Sequence, residues 1–176
     1  MNTNIMYHSN IPSLTIILPL FLAITMAYPQ YPSPQANQTE TDQFLSAHNN
    51  VRDQVGAGIP HLVWNETVAN YANAYAQLRS GDCGMVHSGG SYGENLAEGY
   101  SLSAANAVAM WAGEKSDYDY YSNACAQGKV CGHYTQVVWR KSTQLGCARL
   151  PCGSVGQEFV ICSYYPPGNY IGESPY

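Results

Sequence analysis

The groups in this chain best suited to chemistry at neutral pH are His87, Glu94 and Glu98 in HSGGSYGENLAEG (87–99), then Glu114 and His133. Imidazoles and carboxylates hold divalent cations and move protons near neutrality. Two imidazoles with one or two carboxylates could take zinc or another divalent cation, with water completing the shell. A hydrolase built on them needs a metal-bound water or an activated nucleophile, with Glu94 or Glu114 as base. Ser88 adjoins His87, but adjacency in sequence says nothing of triad geometry. Phosphate chemistry fits poorly, because no Gly-Lys-Ser/Thr follows Gly89, Gly90 and Gly93, and Glu94 would repel the anion. HExxH is absent. The plainer reading makes each His a hydrogen-bonded structural residue and each Glu a capping or solvated group, which suits Glu98 and Glu158 best. His48 lies on an apolar helix face and is expected to organise internal hydrogen bonds.

Three helices are expected to position these groups. Phe44, Ala47, His48, Val51 and Val55 recur at helical spacing from Asp42 until Gly56-Ala57-Gly58 stops the run. Val68, Ala69, Ala72, Tyr75, Ala76 and Leu78 give a second apolar face over 65–79, and Ala107, Val108 and Trp111 a third over 103–115. Strands are expected at 133–139 (HYTQVVW), 145–150 (LGCARL) and 158–165 (EFVICSYY), where β-branched and aromatic residues are dense. The glycine-rich stretch at 87–99 reads as an irregular link. Helices first and strands last give an α+β fold with helices covering an antiparallel sheet.

Bulk properties narrow the function. Seven Lys/Arg against 12 Asp/Glu leave a net charge of -5 with no basic run, which argues against nucleic acid and against anionic membrane surfaces. Fifteen tyrosines against 3 phenylalanines favour a surface that both stacks and hydrogen-bonds. The uncharged segment Ile11–Ala27 ends in Thr25-Met26-Ala27, so residues 1–27 read as a secretory signal and the mature start falls near Tyr28. Residues 28–40, rich in Pro and Gln, read as an extended leader, and no membrane span is expected in the mature chain. Cys83, Cys125, Cys131, Cys147, Cys152 and Cys162 all follow the signal, as an oxidised exported framework requires; their connectivity is open at this level. Asn37 and Asn65 open sequons that could carry glycans.

GHYTQVVWRKS (132–142) and FVICSYYPPGNY (159–170) resemble the two signature motifs of the CAP superfamily of cysteine-rich secretory proteins, antigen 5 and pathogenesis-related proteins. With HNNVR (48–52), HSGGSYGENLA (87–97) and CGHYTQVVWRKSTQLGCARLPC (131–152), the likeness is greatest to plant pathogenesis-related class 1 proteins and spans about residues 40–176. The resemblance implies one domain over 41–176, a disulfide-stabilised three-layer α-β-α sandwich around a mainly antiparallel sheet. It implies disulfides Cys83–Cys147, Cys125–Cys131 and Cys152–Cys162, and a central cleft formed by His87, Glu94, Glu114 and His133, which binds zinc or another divalent ion in some relatives. It implies a sterol- or lipid-binding loop at Tyr118, Tyr120 and Tyr121. The ending PPGNYIGESPY (166–176) matches the tail from which plant members release a signalling peptide by proteolysis, here between Tyr165 and Pro166. The upstream Cys-Ser-Tyr-Tyr departs from the usual Cys-Asn-Tyr at Ser163. The expectation is therefore a monomeric, extracellular (apoplastic) defence protein that binds a sterol or lipid of pathogen membranes, requires no cofactor and is not an enzyme. The alternative is a metal-dependent hydrolase using the His/Glu set.

Overall fold

The computed structural model describes residues 34–176, with side chains from Glu40 onward. The expected signal (1–27), leader residues 28–33 and the side chain of Asn37 lie outside the described residues. Helix α1 (Pro34–Val55) begins inside the expected leader, so 34–40 are helical rather than extended. Proline at a first helical position gives up no intrahelical bond and has a suitable φ. The helix stops at Gly56, whose φ of +72° suits glycine.

A two-residue strand β1 (Val63–Trp64) leads into α2 (Glu66–Arg79). Asn65 caps α2, its side-chain oxygen accepting from the amides of Thr67 and Val68 while its Nδ2 donates to Gln144 at 2.6 Å. Strand β2 (Gly93–Tyr100) comes next, followed by α3 (Ala104–Gly113), capped by Ser103, and a 3-10 turn (Glu114–Asp117). A hairpin of β3 (Tyr118–Asp119) and β4 (Ala124–Cys125) precedes α4 (Gly132–Val137), and β5 (Gln144–Pro151) and β6 (Gln157–Tyr165) complete the chain.

The main sheet runs β1-β5-β6-β2, antiparallel except for the β1–β5 pair. Side-chain alternation along the strands divides the core in two. Leu145, Cys147, Val160, Cys162 and Tyr164 pack under α1, α3 and α4, whereas Leu96, Ala148, Phe159 and Ile161 pack against Ala72 and Ala76 of α2. This is the expected α-β-α sandwich. Helix α2 sits directly on β5, for a Cβ on Gly146 would lie 2.0 Å from the amide nitrogen of Ala69.

Two further expectations need correction. HYTQVVW is not a strand: residues 132–137 form α4. The carboxylate of Glu114 accepts from the amides of His133 and Tyr134, satisfying helix-start donors from nineteen residues upstream. Local β propensity loses to that tertiary cap. The second half of the glycine-rich stretch is not a link but strand β2, paired with β6 from Gly93↔Tyr164 to Tyr100↔Gln157.

Two of the implied disulfides also re-pair. Cys147 and Cys162 are direct cross-strand partners, their Cα atoms 4.1 Å apart, and form one bond. Both belong to the core under α1, so Cys147 cannot turn toward Cys83, which lies in the α2 core with Cys152. Cys83 therefore bonds Cys152, tying the chain after α2 to the end of β5. Cys125–Cys131 forms as expected. Each closed loop restricts the unfolded chain, by about 2–4 kcal/mol in the chain-entropy description.

Candidate functional site

The four residues of the implied cleft assemble as two histidine–carboxylate pairs. His87 Nδ1 lies 2.6 Å from Glu94 Oε1, which also accepts from the Ser88 amide. His133 Nδ1 lies 2.6 Å from Glu114 Oε1, the carboxylate that caps α4. An ionised carboxylate only accepts, so each Nδ1 carries the proton and each Nε2 is the outward nitrogen. That arrangement fixes ring orientation in the way that supports histidine ligands.

The pairs do not merge into one cluster. Between them, Asn95 of β2 turns toward α4, where its Nδ2 donates to the His133 carbonyl at 3.0 Å. His87 and Glu94 line a cavity of about 210 Å³ with Tyr92, Gln136 and Gly168. His133 and Glu114 line another of about 340 Å³ with Met85, Met110, Trp111 and Glu98. Among the described residues, no three His, Cys, Asp or Glu side chains come together closely enough to hold a metal ion. Ser88 does not contact His87 through its hydroxyl: Ser88 Oγ accepts from Tyr71 Oη at 2.8 Å.

The three tyrosines of the β3–β4 hairpin have different environments. Tyr118 packs against Tyr134 and donates to Asn123 at 2.7 Å. Tyr120 stacks on the C-terminal Tyr176, with ring centroids 4.8 Å apart and planes 8° apart, and donates to its carbonyl. Tyr121 is 96% exposed at the tip. The turn is shaped by Asp119, whose carboxylate accepts from the amide and hydroxyl of Ser122; those bonds hold its pKa below the usual carboxylate value. Cys125–Cys131 anchors the base. A cavity of about 380 Å³ lies along the hairpin, lined by Ser116, Tyr118, Asp119, Ser122 and Ala124.

The C-terminal segment is docked rather than free. Tyr165 is exposed beside Pro166, but Pro175 is buried, and its carbonyl accepts from the Arg140 amide at 2.7 Å. Glu173 pairs with Lys141, and Asn169 bonds both Thr135 and Gly132.

Two further organisers hold α4 and β6 in place. His48 is fully buried; its Nδ1 donates to the Phe44 carbonyl at 2.7 Å, so its Nε2 accepts from Tyr164 Oη at 2.8 Å. Tyr164 in turn accepts from Asn95. Burial pushes the His48 pKa down to about 4 and drives that of Tyr164 upward. His48 thus has the internal role expected of it. Arg52, one turn further along α1 and 1% exposed, was not singled out by the sequence. Its guanidinium donates to the carbonyls of Pro60, Val137, Trp139 and Ser142, and burial lowers its pKa to about 10. The available signal was its spacing: Phe44, His48 and Arg52 follow at four-residue intervals on the buried face.

Comparison with known proteins agrees with this architecture. The family model for the cysteine-rich secretory protein family (CAP) matches residues 45–164. Pathogenesis-related protein 1A1 of Solanum lycopersicum is 55% identical over 153 residues, covering 86% of this chain and 85% of that protein. Pathogenesis-related protein 1A of Nicotiana tabacum is 49% identical over 170 residues, 96% of each. Among solved structures, Na-ASP-1 superposes with a TM-score of 0.66 at 25% identity, covering 85% of this chain and 46% of that one. The chain belongs to the cysteine-rich secretory protein (CAP) family, among the pathogenesis-related class 1 proteins of plants.

Proposed function

We propose that this protein is a secreted plant defence protein that binds a sterol, or a related lipid of pathogen membranes, at the β3–β4 hairpin. The observation that carries the reading is Tyr121, 96% exposed at the tip of a disulfide-anchored aromatic hairpin beside a cavity of about 380 Å³. Tyrosine offers a flat apolar face and a polar tip, which suits a fused-ring alcohol. A rigid hairpin keeps the ordering cost of binding low. Relatives named as pathogenesis-related proteins support the defence role. Pairing of all six cysteines suits an oxidising, extracellular compartment, and among the described residues no helix is long and apolar enough to cross a membrane.

Titration with ergosterol tests the reading. Tyr121→Ser should weaken binding at least ~10-fold, the loss expected when a contact worth about 1.4 kcal/mol goes. Tyr118→Phe, which removes only the bond to Asn123, should bind nearly as the parent does. Equal affinity in Tyr121→Ser would remove the hairpin from the mechanism.

The metal-dependent hydrolase is the weaker reading. The two imidazoles that would have to share a divalent cation, His87 and His133, line different cavities.

The C-terminal tail supports a second role, as a precursor of a signalling peptide cut between Tyr165 and Pro166. The bonds from Asn169, Glu173, Pro175 and Tyr176 imply that the cut and the release are separate steps. After cleavage at Tyr165, peptide 166–176 should co-elute with the body on gel filtration and leave only in mild denaturant. Immediate loss of the peptide would contradict docking by these contacts.

A further inference from the structure

The sheet has an open edge that none of these roles uses. Strand β1 pairs with β5 only at Gln144 and Leu145; beyond them, among the described residues, no strand lies beside β5 on the side away from β6. The direction of the vacant groups follows from the ladder. Leu145 turns its carbonyl away from β6, where it accepts from the Asn65 amide at 2.8 Å. By the two-residue repeat, Cys147 and Arg149 direct their N–H and C=O the same way. The Cys147–Cys162 Cα separation of 4.1 Å agrees, because the close spacing marks a pair without mutual backbone bonds.

These groups open into a cleft of about 370 Å³ between α1 and α2, distinct from both His/Glu cavities. Thr41 lines one wall, and Asn70 and Asn73 the other, so side-chain donors and acceptors flank the edge. Of the ionised groups lining it, Glu40 is paired with Arg149. Glu66 is exposed, and its carboxylate accepts only from the Trp64 indole among the described residues. The lining thus carries two carboxylates against one guanidinium.

We propose that this cleft is a peptide-binding groove, in which an extended segment of a partner protein bearing a basic side chain adds as a strand to β5. A backbone is the ligand that matches donors and acceptors alternating at ladder spacing. The basic residue answers Glu66. The volume falls in the range of natural ligand sites, ~300–1,000 Å³. Pro151, which has no amide hydrogen, confines the ladder to Cys147 and Arg149. The groove does not depend on the sterol reading.

The test is amide hydrogen exchange on the mature chain, titrated with the blocked peptide Val-Lys-Val-Thr-Val and with a twin N-methylated at alternate amides. Binding should slow exchange at Cys147 and Arg149 at least ~10-fold, because these amides gain ladder partners. Gly146 and Ala148, which already face β6, should not change. The methylated twin and the groove-filling variant Asn73→Trp should each lose at least ~10-fold in affinity, and Glu66→Gln should weaken the lysine peptide selectively. Asn73→Trp must keep the parent's circular dichroism. Absence of saturable binding up to millimolar peptide would overturn the proposal. So would binding without protection of Cys147 and Arg149, or self-association of the chain that protects the same amides.

Discussion

Arg52→Leu should lower the stability of the folded chain by about 4 kcal/mol, seen as a fall in denaturation midpoint at unchanged m-value. The guanidinium is 1% exposed and serves the carbonyls of Pro60, Val137, Trp139 and Ser142. Leucine fills part of the volume but leaves these acceptors without their donor, and an unsatisfied buried carbonyl costs about 1–3 kcal/mol. Val137 ends α4, Trp139 and Ser142 belong to the turn that follows it and Pro60 to the loop before β1, so losing the guanidinium also loosens the element that carries His133. Arg52→Lys keeps the charge but not the planar five-donor fork, and should recover no more than about half of the loss. A Leu variant within about 1 kcal/mol of the parent would show that water replaces the guanidinium freely.

Acidification should act through His48. The unfolded imidazole takes its proton near pH 6.5, whereas burial holds the folded ring neutral until about pH 4. Between those values the unfolded chain binds more protons, so stability falls as pH falls. The contribution is complete above pH 6.5 and about 3 kcal/mol smaller at pH 4, at 1.36 kcal/mol per pKa unit. Protonation also puts a hydrogen on Nε2, where Tyr164 now donates. Denaturant unfolding at pH 7 and pH 4.5 measures the effect. His48→Asn should be less stable at pH 7 and should have a flatter pH dependence. An unchanged slope in that variant would assign the acid sensitivity elsewhere.

Much of the fold was legible because several elements carry their own signals. The apolar stripe of Val68, Ala69, Ala72 and Ala76 is the face that α2 buries, and LGCARL and EFVICSYY fall within β5 and β6. Where an element depends on a distant partner, the signal vanished. HYTQVVW has the composition of a strand, but Glu114 supplies the helix-start acceptor from another part of the chain. GENLAEGY has too much glycine to read as a strand, yet β6 pairs with it along its whole length.

The site divides in the same way. The resemblance supplied His87, Glu94, Glu114 and His133 as one set without saying which pairs with which; the contacts His87–Glu94 and His133–Glu114 come from the fold. That they line two cavities follows from how β2, α3 and α4 meet in space, which spacing along the chain does not carry. The hairpin tyrosines looked equivalent in DYDYYSNAC. Only the fold shows that Tyr176, fifty-six residues beyond Tyr120, stacks on that ring and leaves Tyr121 as the exposed one. Disulfide pairing failed for a related reason: the face on which Cys147 stands is a property of the β5–β6 ladder, not of cysteine spacing.

Photolabelling of the intact mature chain with a photoreactive sterol tests the central claim most directly. The account predicts that the label maps to residues 116–126, is competed by ergosterol and is lost in Tyr121→Ser. Label concentrated instead around Met85 and Met110, beside the His133–Glu114 pair, or spread without competition, would contradict it.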